Sequence, residues 1–207
     1  MQVSKLVFSD TELKLAQNRE VILTKKSIID CVYNQFGNLG ALVFDYFKAN
    51  PGGFSEELNT LPKISKGENY MGFPWVMLDY PRCFDNDRGH FALRTFFWWG
   101  HYYLVQWQVS KSYSGQLLSA LEGGKIPGQI ASCPVWAGYP IDPWNHQIPQ
   151  IGLDKLDTTQ NFKAKNSLLK VAVPVPINQF QKLQEVVLAL CRFAHDGINS
   201  LTDETGP

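Results

Sequence analysis

The spacing of apolar residues along this chain switches from helical to extended and back. From Thr24 to Asn50, Ile28, Ile29, Val32, Tyr33, Phe36, Leu39, Val43, Phe44 and Phe47 recur at helical spacing, which predicts a long helix near 25–49 that covers a sheet. Gly37 and Gly40 interrupt it, each weakening it by about 1 kcal/mol relative to alanine, and predict a kink or a break into two helices. Upstream, Ser9-Asp-Thr-Glu12 has the spacing of a capping box and predicts a short first helix, while Asn50-Pro-Gly-Gly ends the long one. A second stripe, Phe180, Leu183, Val186, Val187, Leu190, Cys191, Ala194 and Ile198, predicts a helix near 179–200, capped by Asn178–Gln181 and frayed after Leu201. Tyr113, Leu117, Leu118 and Leu121 predict a short helix stopped by Gly123-Gly124.

Between these stripes the pattern is extended. Lys63–Ser65 and Trp75–Asp79 read as strands, and 91–109 reads as a buried hairpin turning at Gly100. Leu168–Val175 reads as a last strand, with Pro174 and Pro176 suiting an edge or a terminus. If Gly100 sits in a two-residue turn, Ala92, Arg94, Phe96, Trp98, Tyr103, Val105, Trp107 and Val109 share one face, apolar except at Arg94, and that face is expected under the helices. Strands clustered in the middle with long helices outside predict an α+β fold with an antiparallel sheet, as one domain over 1–207. Residues 126–149 carry Pro127, Pro134, Pro140, Pro143 and Pro149 with Trp136, Tyr139 and Trp144. That is too much proline for regular structure and too apolar for a solvated linker, so this stretch is expected to fold onto the body as a cover or lid.

Composition narrows the function classes. At 44% hydrophobic and 18% charged, the chain is a globular protein, and 19 basic residues against 19 acidic ones give no broad positive field for nucleic acid. Trp98, Trp99, Tyr102, Tyr103 and Trp107 resemble a base-stacking set, but only Lys111 supplies a basic rim, so nucleic-acid binding is not expected. Met1–Asp10 lacks the apolar run of a leader, and no stretch approaches the roughly 18 apolar residues of a membrane span, so a cytoplasmic location and no membrane contact are expected. Cys31, Cys83, Cys133 and Cys191 lie far apart and read as free, mostly buried thiols.

Candidate chemistry centres on Arg94, a permanent charge inside an apolar hairpin, which requires a carboxylate or a bound anion. Asp79 is the first expected partner and Glu68 the second. Glu68, Tyr70, Asp79, Arg82, Arg94, His90 and His101 are the candidate ligand-binding residues, in a pocket between the hairpin sheet and the 126–149 loop. Asp79-Tyr-Pro-Arg82 and Asp85-Asn-Asp-Arg88 also fit plain turn chemistry. His90, His101, His146 and His195 fall on different predicted elements, no metal spacing joins them, and the nucleophile-elbow and phosphate-loop glycine patterns are missing, so no metal or cofactor is expected.

Ile64-Ser-Lys-Gly-Glu-Asn-Tyr70, Leu78-Asp-Tyr-Pro-Arg82 and Arg94-Thr-Phe-Phe-Trp-Trp-Gly100 resemble a set of uncharacterised conserved bacterial proteins of similar length. That resemblance covers the middle third of the chain and implies no activity, substrate or catalytic residue. Three functions stay open: a binder of a small anionic ligand near the hairpin; an enzyme with Asp79 or Glu68 as base, His90 or His101 as acid and Arg94 or Arg82 as clamp; and an interaction module that forms a homodimer through exposed aromatics.

Overall fold

Helix α1 (Asp10–Gln17) starts on the capping box: Ser9 N donates to Glu12 Oε2 at 2.8 Å and Glu12 N donates to Ser9 Oγ at 3.3 Å. Asn18 then caps α2 (Arg19–Ala49), its Oδ1 accepting from the amides of Glu20 and Val21. The structure, a computed structural model, describes residues 7–50, 59–156 and 168–202, with no side-chain description at Gln116 and 198–202. The predicted role of Ile198 and the tail beyond Thr202 lie outside the described residues.

Helix α2 runs unbroken for 31 residues, so the expected kink at Gly37 and Gly40 does not occur. The packing of Ile29, Val32, Phe36, Leu39, Val43 and Phe47 outweighs the two glycine penalties. Gly40 serves close packing, since a Cβ there would meet Pro62 Cβ at 3.1 Å.

Strands β1 (Lys63–Tyr70), β2 (Phe73–Asp85), β3 (Gly89–Trp98) and β4 (Tyr102–Val109) form a meander, and helix α3 (Ser112–Glu122) follows. Strands β5 (Gln129–Ile130) and β6 (Cys133–Pro134) make a small separate hairpin, after which come β7 (Trp136–Gly138), β8 (Leu153–Lys155) and β9 (Leu169–Pro176). The main sheet has seven antiparallel strands in the order β1-β2-β3-β4-β9-β7-β8. A 3₁₀ turn, Ile177–Lys182, leads into α4 (Leu183–Thr202), so Asn178–Gln181 forms that turn in place of the expected cap, and Phe180 points outward at 54% exposure. Helices α2, α3 and α4 cover one face of the sheet, and the fold is α+β.

Trp98 pairs with Tyr102, so the turn is the three residues Trp99-Gly100-His101, with Gly100 at φ +74°. The longer turn shifts β4 by one residue and exchanges its faces relative to the expectation from a two-residue turn. Phe91, Leu93, Thr95, Phe97, Tyr103, Val105, Trp107 and Val109 therefore face the helices, and Trp107 Nε1 donates to Leu190 O at 2.8 Å. Arg94 lies on the opposite face, paired across the strands with Asp79 and Gln106. Asp79–Arg82, also read as a turn, lies within β2 across a bulge. Asp85–Arg88 does turn, with Asp85 Oδ1 accepting from the amides of Asp87 and Arg88. Strand β9 is interior along Lys170–Ala172, where β4 and β7 flank it, while Val173–Pro176 pair with β4 alone. The two prolines thus fall where one side of the strand has no ladder, in keeping with their missing amide.

The proline-rich stretch supplies β5, β6 and β7, and residues 139–152 form a long loop between β7 and β8 that folds back over the second sheet face. Gly138 and Gly152 cross at its base: a Cβ on Gly152 (φ +88°) would lie 2.2 Å from Tyr139 O, and one on Gly138 (φ +147°) 2.2 Å from Gly152 O. Gly72 shares the +88° backbone with nothing within 4 Å. Gly152→Ala is therefore expected to cost roughly 2–5 kcal/mol in urea unfolding, from strain plus overpacking, against about 1 kcal/mol for Gly72→Ala. Equal losses for the two would contradict the crossing.

Candidate functional site

The sheet face opposite the helices carries Asp79, Arg94, Gln106, Gln108 and Lys170, all buried. They are buried by the loop 139–152, a strap whose middle has no ladder of its own, and the sheet's side chains complete its backbone. Gln108 Nε2 donates to Pro143 O at 3.0 Å, Lys170 Nζ to Asn145 O at 2.7 Å and Tyr102 OH to His146 O at 3.1 Å. In return, His146 N donates to Tyr70 OH at 2.7 Å and Ile148 N to Tyr102 OH at 2.7 Å. Gln106 Nε2 lies 2.9 Å from His146 Nδ1, while Gln106 Oε1 and Gln108 Oε1 remain without a partner.

Arg94 makes a two-point ion pair with Asp79, Nε to Oδ1 at 2.6 Å and Nη2 to Oδ2 at 3.0 Å, and its guanidinium carbon lies 5.9 Å from the Trp144 ring. Burial shapes the remaining charges. The His146 imidazole is held well below its usual range by burial and then by Lys170 and Arg94, so at neutral pH it is uncharged. His90, packed between Phe84 and Trp144, is pushed down to about 4 by burial first and Arg94 second. Lys170, fully buried, falls to about 7, chiefly through burial with Arg94 adding to it.

The structure brings Tyr70, Asp79, Arg94 and His90 under or beside the strap. Glu68 stands apart on exposed edge strand β1 and pairs with Lys25 of α2, so it is not the partner of Arg94. Arg82 sits half-buried in β2 with Nε unpartnered. His101 is exposed in the hairpin turn, stacked on Trp98 at 3.6 Å between ring centres. Trp98, Tyr103 and Trp107 are buried, which removes them as a stacking platform for bases. Of the cysteines, Cys133 and Cys191 are buried, Cys83 is half-buried and Cys31 is exposed, all four as free thiols. Sequence reasoning missed Gln106, Gln108, His146 and Lys170 as members of this layer. Lys170 had a visible signal, a lone charge in Leu168-Leu-Lys-Val-Ala-Val173, of the same kind that marked Arg94.

Beyond the first residue of β7, Trp136, which pairs with Ala172 of β9, a cavity of about 410 Å³ opens. Its walls are Tyr102 and His101 from the hairpin, Pro174 and Pro176 from β9, Ser132–Pro134 from the β5–β6 hairpin, Trp136, Lys155, Ile148 and Gln179. Ala131 and Ser132 turn that small hairpin at φ +51° and +65° without a glycine, a strained turn held at the cavity wall. Lys155 Nζ lies 5.6 Å from the Trp136 ring centre. Burial raises Tyr102 to about 12 and raises the Cys133 thiol, so both stay protonated. Among the described residues no group of three His, Cys, Asp or Glu side chains forms a metal-binding cluster, and no helix is long and apolar enough to cross a membrane. Comparison with known protein families, curated proteins and solved structures gave no match.

Two outcomes follow from this layer. Arg94→Ala strands a buried carboxylate and is expected to cost about 3–5 kcal/mol, whereas the paired change Asp79→Leu with Arg94→Met recovers most of it; a double variant as unstable as the single one would contradict a self-contained ion pair. Lys170 binds its proton less tightly folded (about 7) than unfolded (10.5), so stability from this group rises as pH increases through that window. Measured by urea unfolding, wild type should gain stability relative to Lys170→Met between about pH 7 and pH 9. A pH-independent difference would show that Lys170 stays charged in the folded protein.

Proposed function

We propose that the protein binds a small molecule that joins a flat apolar body to an acidic group, in the cavity between the hairpin turn, β9 and the strap. The supporting observation is the build of this cavity: about 410 Å³, walled by three prolines, Trp136, Tyr102 and Ile148, with Lys155 and His101 among its few polar side chains. Small-molecule sites share that size and that balance of apolar wall to placed polar groups. Pro134, Pro174 and Pro176 are stiff and carry no amide donor, so they suit an apolar ring. Lys155 gives the acidic end of the ligand a cation, and the exposed imidazole of His101 lies on the opposite wall.

The acidic group is assigned to Lys155 because its side chain lines the cavity, whereas Arg94, the sequence-based choice, is buried on the sheet face with Nε and Nη2 donated to Asp79. An acid–base enzyme has less support, since Glu68 lies on the exposed edge, Asp79 is occupied by Arg94, and Cys133 is a protonated packing residue.

Titration calorimetry with 2-naphthoate tests the proposal. Wild type is expected to bind it, Lys155→Ala to weaken binding about tenfold, the worth of about 1.4 kcal/mol, and Gln179→Trp to block it. The neutral 2-naphthalenemethanol should lose a similar factor on wild type. No heat at millimolar naphthoate, or binding indifferent to Gln179→Trp, would refute this site.

A further inference from the structure

Bases that can take up a proton meet the strap along its middle. Lys170 Nζ of β9 donates to Asn145 O, His146 lies with Nδ1 2.9 Å from Gln106 Nε2 of β4, and His90 of β3 packs edge-on against Trp144 with its Nε2 buried and unpartnered. Arg94, a permanent cation, stands beside all three and lowers each of them. The carboxylates nearby are committed: Asp79 of β2 is engaged at two points by Arg94, and Asp142, exposed on the strap itself, accepts from the Trp144 amide at 2.9 Å. Tyr70 of β1 and Tyr102 of β4 are hydroxyls raised by burial, Arg82 of β2 adds a cation, and Lys155 of β8 lies over Trp136. Among the described residues no ion pair joins Lys170, His146 or His90 to a carboxylate. A proton added to any of them under the closed strap is therefore a buried charge beside a like charge.

The strap is also built to move as a unit. Its backbone bonds are internal, Ile141 N donating to Ile151 O at 3.3 Å and Asn145 N to Asp142 O at 3.2 Å, so its hold on the sheet runs through the side chains of Tyr70, Tyr102, Gln106, Gln108 and Lys170. Its two ends stay fixed where β7 pairs with β8 and Gly138 crosses Gly152. We propose that the strap is an acid-released latch: protons taken up by Lys170, His146 and His90 lift residues 139–152 from the sheet while the strands and helices keep their fold. Phe96, Trp98 and Leu104 lie buried under it, so release bares an apolar face that is covered at higher pH. Lys170 holds its proton to about 7 under the strap against 10.5 in water, His90 to about 4 against 6.5, and His146 is held well below 6.5. Each regains its ordinary affinity for a proton once the strap lifts, so the closed form is favoured at high pH and loses about tenfold per pH unit for each proton taken up on opening. Lys170 acts above about pH 7, and the two histidines act below about pH 6.5.

Hydrogen–deuterium exchange on the full chain tests this, read as protection factors corrected for the intrinsic effect of pH. The amides of His146 and Ile148, which donate to Tyr70 and Tyr102, report the strap, and those of Phe97 and Val105, in strands flanked on both sides, report the sheet. In wild type, strap protection is expected to fall at least about tenfold between pH 9 and pH 7 and at least about tenfold again between pH 6 and pH 5. The sheet amides should stay at least about a hundredfold better protected throughout, the mark of a local opening. Lys170→Gln, which keeps a neutral donor, should remove the upper step alone, and His90→Gln with His146→Gln the lower step alone. Any of three results overturns the proposal: strap protection that does not change with pH, strap and sheet amides equally protected at every pH, or both steps surviving in the variants. The wild-type profile decides by itself if a variant fails to fold.

Discussion

A chain segment with no ladder of its own can lie against a sheet only if its backbone amides and carbonyls find partners there. Residues 139–152 meet that condition because the sheet face beneath them sets Gln106, Gln108 and Lys170 among the apolar Phe96, Trp98, Leu104 and Ala172. Gln108 and Lys170 donate to strap carbonyls, and the hydroxyls of Tyr70 and Tyr102 accept from strap amides. The two faces of the sheet therefore differ in kind. Helices satisfy their own hydrogen bonds, so they take the face built from Phe91, Leu93, Tyr103, Val105 and Trp107. The strap takes the face built from Arg94, Gln106, Gln108 and Lys170.

This division sets the electrostatics. Arg94 cannot lose its proton, so it is matched by a carboxylate at two points; Lys170 and His146 can, and burial moves both toward the neutral form. A layer so closed is a poor receptor, because a ligand would have to break the strap's hydrogen bonds before making its own. The opening lies where the reason for the strap ends. Beyond Ala172, β9 has β4 on one side only, Pro174 and Pro176 offer no amide, and the strap's grip passes to Tyr102 alone. The cavity is the gap left by that change of partner.

The sequence carried the α+β class, the central hairpin, both long helices, the capping box and the Asp79–Arg94 pair. Each rests on periodicity or on the high cost of a buried charge, signals that survive errors of one residue. What it hid depends on single residues. A three-residue turn in place of a two-residue one exchanged the faces of β4, so Arg94 looked like a lone charge among aromatics when its neighbours are Gln106 and Gln108. Strands β7 and β8 span three residues each and leave no period to read. The cavity joins His101, Pro134, Lys155, Pro174 and Gln179, residues whose convergence depends on how the strap returns. Gly138 and Gly152, which close its base, look in sequence like ordinary loop glycines.

The hairpin turn reaches the cavity directly: His101 and Tyr102 wall it, and only Gly100 separates His101 from Trp99. The turn is also tied to β2: Trp99 N donates to Pro74 O at 3.0 Å, and the Phe73 ring meets His101 edge-on at 4.9 Å. The turn whose length decided which strand face meets the helices is thus fixed by β2 and walls the cavity through its last residue, His101.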